Sequence, residues 1–319
     1  MPSLPPFRLS PYFRTRIWGF QNLEPWFNYQ TDGEPIGEVW LTGEECAAET
    51  GPFAGKSLKQ ITKDHADQVL GPHHVGEEFP LLVKMLFPKE KLSVQVHPDD
   101  TMAQRYGEPR GKTECWYALA ADPDAAVALG LRPGATPEEI RAAIDEARLE
   151  DLMMWLPVHK GDMIYVDAGT VHAIGPGAVI LETQQTSDLT YRMYDYGRGR
   201  ELHLGKSFEA MRMTTEAGLV PPVSEGARTT LIDAPYFRLD RFAVEGVNAG
   251  SALAVDGVNP SVLILFVAEG EATIRGDGFE TFRIGKCQVA VVPSLPAPWS
   301  LDANGPVEIL RILPRGKPA

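Results

Sequence analysis

Cysteine is scarce in this chain of 319 residues: Cys46, Cys115 and Cys287 lie far apart and form no C-x-x-C pair. That excludes a disulfide framework and a thiolate zinc site, both of which need clustered thiols. Positive charge is also in short supply. Thirty Lys and Arg against 43 Asp and Glu leave a formal charge of -13, whose field repels nucleic acid and anionic membranes alike. Long apolar runs are missing as well. No stretch approaches the length of a membrane span, and Met1-Pro-Ser-Leu-Pro-Pro-Phe7 lacks the charged segment and apolar core of a secretory signal. The expectation is a cytoplasmic protein, a monomer or weak homo-oligomer, with a small-molecule partner. If that partner is an anion, the chain has to build a local basic pocket for it.

Glycine and proline are plentiful, at 30 and 27 residues, and 44% of the chain is hydrophobic. This suits a mainly β protein of short strands and turns with a few helices. The length exceeds that of a typical single domain. We expect a larger domain over residues 1–222, a break at Pro221-Pro222, and a smaller β-barrel or sandwich domain over 223–319. No histidine lies beyond His203, so the second domain is expected to be metal-free.

Local patterns fix several elements. Tyr12–Gly19 and Glu38–Leu41 read as aromatic strands covering one end of a core. Ser57 and Gln60 form a capping box for a helix carrying Leu58, Ile61, His65 and Val69 on one face, with Gly71 as the stop. Pro80–Phe87 reads as a buried strand interrupted by Lys84, which we aim at a polar cavity. Asp99 or Asp100 caps a short helix running to Gly107. Thr136-Pro-Glu-Glu139 starts a helix expected to reach about Arg148, and a further helix is expected from about Gly205 to Met213. Ala178–Gln184 and Leu189–Tyr194 read as strands carrying Glu182 and Arg192.

The stretch Leu92-Ser-Val-Gln-Val-His-Pro-Asp-Asp100 alternates strictly, which puts Leu92, Val94 and Val96 on one strand face and Ser93, Gln95 and His97 on the other. Burying an amide and an imidazole without partners costs about 1–3 kcal/mol each. A metal ion meets that need. In Lys112-Thr-Glu-Cys-Trp116 the same alternation puts Lys112, Glu114 and Trp116 on one face, and the bend at Asp167-Ala-Gly169 delivers His172. Gln95, His97, Glu114 and His172 then form an N/O donor set. A set with a weak neutral member suits catalytic zinc, which leaves room for water or substrate, better than a closed structural site. The rival reading, four residues each hydrogen-bonded separately in a polar core, is the weaker one for the set as a whole.

These residues carry a resemblance. Gly161-x5-Asp167-x-Gly169-x2-His172 resembles the second cupin motif, with Asp167 where proline is usual, and Gln95-x-His97 followed by Glu114 resembles the first. Together with Gly111-Lys-Thr-Glu-Cys-Trp116, Ala168-Gly-Thr-Val-His-Ala173 and Tyr191-Arg-Met-Tyr-Asp-Tyr196, they look like the signatures of type I mannose-6-phosphate isomerases (phosphomannose isomerases) in their short bacterial form. The resemblance implies a cupin-type jelly-roll catalytic domain followed by a smaller cupin-like β domain. It also implies one Zn2+ per chain on Gln95, His97, Glu114 and His172, with an active-site arginine at Arg192. The reaction implied is aldose–ketose isomerisation of a hexose phosphate through a cis-enediol(ate).

That chemistry needs a proton shuttle and positive charge beside the developing oxyanion. Glu182 and Lys112 are the candidates for the shuttle, Lys112 only if zinc and Arg192 lower its pKa. Ser93, Lys84, Lys112 and Arg198 are the candidates for the phosphate. Two rival functions stay open at this stage: a cupin-type glucose-6-phosphate isomerase and a non-catalytic sugar-phosphate-binding cupin. Four ligands from the protein argue against an iron dioxygenase, whose three-ligand set leaves positions open for oxygen.

Overall fold

The computed structural model describes residues 3–29, 31–71, 76, 78–244, 261–294, 296–303 and 305–315, with Val244 described in its backbone only. Four antiparallel sheets stack in layers. The first runs Gly218–Leu219, Met163–Val166, Glu114–Ala121, Ala178–Gln185, Leu81–Leu86, Ile36–Trp40, Tyr12–Phe20 in spatial order. Facing it is a five-stranded sheet: Tyr191–Tyr194, Val94–Val96, His172–Ile174, Ala126–Leu131, Met153–Pro157. Between the two lies an apolar filling that includes Trp18, Leu92, Trp116, Val127, Ile164 and Ile180. This is the cupin jelly roll, mainly β with few helices.

A second seven-stranded sheet is built from Val289–Val292, Leu263–Glu269, Val307–Pro314, Phe237–Val244, Arg228–Asp233 and Val223–Glu225, with Phe7–Leu9 added at one edge. A three-stranded sheet of Phe282–Gly285, Glu271–Gly276 and Trp299–Ala303 covers its far face. The chain changes sheets between Leu219 and Val223, across Pro221-Pro222. The N-terminal segment breaks the simple sequential division, because Phe7–Leu9 pairs with Val289–Val292 before Tyr12 enters the first sheet. One continuous core, from Val39, Leu81 and Met85 to Phe237, Ile264 and Leu310, joins the two large sheets. Burial at this scale is the main stabilising term.

The helices start as their sequences dictate. Both capping boxes form, Ser57 with Gln60 and Thr136 with Glu139. The third helix stops at Asp145 rather than Arg148, since Ala147 adopts φ 56°, a left-handed turn. The last helix covers Leu204–Ala210, shorter than expected. Asp99 supplies the cap of Asp100–Arg105 by accepting from the Met102 amide at 2.8 Å, which frees Asp100 for other bonds. Helical segments cover the outer face of the five-stranded sheet, burying Val94, Val96, Ala173 and Met193 against Ile140, Ile144 and Ala210. Leu92 corrects the expected alternation. It precedes the Val94–Val96 ladder and packs inward beside Trp116, whereas Val94 and Val96 point outward. Pleating fixes the faces only where the ladder has begun. Among the described residues no helix is long and apolar enough to cross a membrane.

Candidate metal centre

Strand register brings the predicted donors together. In the five-stranded sheet Arg192, Gln95 and His172 stand in one row across three strands, because Gln95 pairs with Arg192 on one side and His172 on the other. Directly paired residues point to the same face, here the interior. In the opposing sheet Trp40, Lys84, Glu182 and Trp116 form a second row, and Glu114 stands two residues from Trp116 on the same face. His97 completes the set from the end of its strand.

The two imidazoles and the Glu114 carboxylate converge. Glu114 Oε2 is 3.6 Å from His97 Nε2, and Oε1 is 3.5 Å from His172 Nε2. All three side chains are buried, at 2% exposure or less. His97 Nδ1 donates to the Leu189 carbonyl at 2.7 Å and His172 Nδ1 to the Thr170 carbonyl at 2.9 Å. A carbonyl only accepts, so both Nδ1 atoms carry the proton and both Nε2 lone pairs face the centre. Burial, reinforced by the Lys112 charge, pushes the His97 pKa well down, and burial pushes that of His172 down to about 4. Both rings are therefore neutral at physiological pH. His97 Nε2 has no hydrogen-bond partner, and Glu114 Oε2 makes only charge contacts, with Lys112 Nζ at 3.1 Å and His97 Nε2 at 3.6 Å. A buried orphan nitrogen of this kind is costly, and a divalent cation satisfies it together with the neighbouring carboxylate.

Gln95 lies within reach of the same point. Its amide nitrogen is 3.2 Å from His172 Nε2 and its oxygen 3.3 Å from the Ser93 hydroxyl. Turning the amide by a half-rotation exchanges the two atoms, presents the oxygen to the centre and lets the nitrogen donate to Ser93. Among the described residues the donor set fits an N/O-ligated metal.

Beside the ligands runs a chain of buried charges. Lys112 Nζ is 3.1 Å from Glu114 Oε2 and 3.5 Å from Glu182 Oε1, while Lys84 Nζ lies 3.5 Å from Glu182 Oε2. Desolvation and the neighbouring Glu114 charge raise the Glu182 pKa to about 7, against the opposing pull of Lys84 and Lys112. Burial works to lower the Lys112 pKa, but Glu114 and Glu182 outweigh it and the net shift is upward. The lowered pKa that a shuttle role for Lys112 requires is thus not produced by the protein around it.

These groups line a cavity of about 450 Å³ that also contains Ser93, Arg192, Arg200, Arg16, Glu38 and Asp188. A larger hollow of about 740 Å³ lies across the Thr186–Leu189 segment, and Asp188 contributes to both walls. The larger one contains none of the donor side chains, so size does not identify the site. In the smaller cavity Arg16, Lys84, Lys112, Arg192 and Arg200 outnumber Glu38, Glu114, Glu182 and Asp188. The cations exceed the carboxylates by one. Arg192 donates to the Glu201 carbonyl at 2.9 Å, and its buried Nε lacks a partner. Desolvation and nearby Arg200 lower its pKa.

Arg198 is placed elsewhere: it pairs with Asp195 at 2.9 Å and lies over the Tyr196 ring, outside the cavity lining. Arg200, two residues on, is held by the same Asp195 carboxylate, its Nε donating at 2.8 Å, but does line the cavity. Sequence reasoning also missed Arg16 and Glu38. Arg16 grips Glu38 through two bonds of 2.9 and 3.0 Å, and Trp40 Nε1 donates to the same carboxylate at 2.8 Å. Burial raises the Glu38 pKa, but Lys84 and Arg16 reverse this and hold it down at about 2. The alternation Glu38-x-Trp40 was the one local signal; the distant Arg16 and Lys84 that give it meaning were not legible locally.

Residues 6–130 match the family model "Phosphomannose isomerase type I, catalytic domain". The chain is 32% identical to the mannose-6-phosphate isomerase of Streptococcus mutans, over 96% of this chain and 97% of that protein. It is 35% identical to mannose-6-phosphate isomerase ManA of Bacillus subtilis, over 88% of this chain and 91% of the other. Its fold superimposes on the crystal structure of a Bacillus subtilis mannose 6-phosphate isomerase with a TM-score of 0.84 at 32% identity, covering 97% of this chain and 99% of that one. Strand register, donor set and relatives agree: the chain belongs to the type I phosphomannose isomerases, a family of aldose–ketose isomerases.

Proposed function

We propose that the protein interconverts mannose 6-phosphate and fructose 6-phosphate through a cis-enediolate, with Zn2+ held by Gln95, His97, Glu114 and His172. The observation that carries the proposal is the convergence of the unpartnered His97 Nε2, the His172 Nε2 lone pair and the Glu114 carboxylate beside Glu182, at a cavity lined by both cations and carboxylates. Zinc, when bound, supplies Lewis-acid stabilisation of negative charge on the sugar oxygens.

The remaining chemistry belongs to the chain. Glu182 moves the proton between C1 and C2, since a carboxylate with a pKa of about 7 both accepts and releases a proton near neutrality. Lys112 keeps its proton, orients Glu182 and Glu114, and supplies fixed positive charge beside the enediolate. Arg192, whose buried Nε has no partner, adds charge from the opposite wall. Ser93, Lys84 and Arg200 serve the phosphate. The cavity is too small to bury a long chain and suits a single hexose phosphate. The change of sheets at Pro221-Pro222 supports a domain boundary there, with the sheets of the C-terminal part as a supporting unit.

Chelator-treated protein is expected to lose interconversion of the two phosphates and to regain it with zinc. Glucose 6-phosphate is the control. Metal-independent turnover refutes the zinc site, and a preference for glucose 6-phosphate over mannose 6-phosphate refutes the substrate assignment.

A further inference from the structure

Asp100 does not cap its helix, because Asp99 does. Its carboxylate reaches three other segments. Oδ1 accepts from the Gly111 amide at 2.8 Å and from Gln185 Nε2 at 3.0 Å, and Oδ2 accepts from the Tyr236 hydroxyl at 3.2 Å. Each partner leads to the site. Gly111 begins the segment that carries Lys112 and Glu114. Gln185 ends the strand that carries Glu182, and its own Oε1 accepts from the Thr113 amide at 2.9 Å. Tyr236 precedes Phe237–Val244 in the second large sheet, where its carbonyl accepts from the Arg315 amide at 2.8 Å.

The backbones beneath these bonds are equally close. A Cβ on Gly111 would lie 2.4 Å from the Pro98 oxygen and 2.4 Å from the Asp99 carbonyl carbon. The Lys112 amide donates to the Pro98 oxygen at 3.0 Å. The segment after His97 and the segment before Glu114 are thus zipped together directly behind the donor set.

We propose that Asp100 is a positioning residue that clamps the His97, Glu114 and Glu182 segments into one geometry, and that Tyr236 extends this clamp to the C-terminal sheet. The C-terminal unit thereby gains a role in the site, because it bears on a carboxylate that touches neither metal ligand nor substrate yet fixes the segments that carry them. A carboxylate with three donors from three elements restricts all of them at once, and outer-shell partners of this kind hold ligands in register. Burial raises the Tyr236 pKa to about 12, helped by Asp100, so the hydroxyl keeps the proton it donates. The inference rests on the metal-dependent isomerase reading.

The test uses the full chain with Asp100→Ala, Asp100→Ser, Asp100→Asn, Tyr236→Phe and the double variant Asp100→Ala/Tyr236→Phe. Zinc affinity is read by chelator competition, amide exchange at Gly111 and Lys112 by mass spectrometry, and kcat and KM separately. Asp100→Ala is expected to weaken zinc affinity by about 10–100-fold, the range for lost outer-shell partners, to speed exchange at Gly111 and to lower kcat more than it raises KM. Asp100→Asn keeps an acceptor for Gly111 and is expected to recover most of each loss. Tyr236→Phe is expected to shift the same readouts by about two- to fivefold, the scale of one hydrogen bond, and to add nothing once Asp100 is gone.

Wild-type zinc affinity and Gly111 protection in Asp100→Ala overturn the clamp; Asp100→Ser decides the point if the alanine variant does not fold. A full Tyr236→Phe effect in the Asp100→Ala background overturns the link to the C-terminal sheet. If the wild type fails to isomerise either hexose phosphate, the functional reading falls, while zinc affinity and exchange still judge the clamp.

Discussion

Glu182 faces Lys84 across neighbouring antiparallel strands, with carboxylate and ammonium 3.5 Å apart and both side chains buried. Lys84 pulls the Glu182 pKa down against a larger upward push from burial and Glu114, leaving it at about 7. Removing the cation therefore raises it further. In Lys84→Met the acidic limb of the kcat/KM profile, which the proposed base Glu182 sets, is expected to move to higher pH than in the wild type. Each unit of movement corresponds to about a tenfold loss of rate on that limb. An unmoved limb refutes the assignment of the titrating base to Glu182.

The same carboxyl leaves a mark on stability. Its folded pKa of about 7 exceeds the ordinary value of 4.5, so the folded state holds the extra proton between these limits. Stability from this group is full below about 4.5 and falls as pH rises towards about 7. Denaturant titrations of metal-free wild type against Glu182→Gln should differ in this window, with a flatter slope in the variant.

Glu38 acts in the opposite direction. Its pKa is held down at about 2 from 4.5, so its contribution is present above 4.5 and is lost as pH falls through about 2. Glu38→Gln is expected to lower stability at neutral pH by roughly 3 kcal/mol, the low end of the range for breaking a buried ion pair, and to weaken the acid dependence. Equal stability of variant and wild type at pH 7 refutes the role of the Arg16–Glu38–Lys84 arrangement.

His97 and Arg192 should separate metal binding from turnover. His97→Ala removes an inward Nε2 donor, so zinc content and activity are expected to fall together. Arg192→Ala leaves the donors intact and should retain zinc while losing about 100-fold or more in kcat, as for removal of an oxyanion stabiliser. Metal analysis beside steady-state kinetics distinguishes the two; loss of zinc in Arg192→Ala contradicts the proposed division.

Gly111→Ala offers a backbone test. The added methyl meets backbone atoms of Pro98 and Asp99 at 2.4 Å, and backbone cannot yield as a flexible side chain does. Destabilisation of about 2–3 kcal/mol is expected from such overpacking, measured by urea unfolding. A variant as stable as the wild type refutes the close docking of the two segments.

The sequence by itself marked the candidate donors and determined the local starts of elements. Gln95, His97, Glu114 and His172 were legible because strand alternation and two motifs mark them, and the helix N-termini because capping is a contact within a few residues. It misjudged Leu92, since alternation has meaning only within a formed ladder, and it left Arg200, Arg16 and Glu38 unread. Arg16 and Glu38 gain their roles from pairings between strands separated in sequence, and Arg200 from the fold that brings its loop to the cavity. Only the tertiary structure decided that Lys112 is held charged between two carboxylates, that Glu182 is raised to about 7, and that Phe7–Leu9 joins the second sheet. The physical reason is common to all three. Burial and electrostatic environment are sums over neighbours brought together by long-range strand register, and no local spacing encodes them.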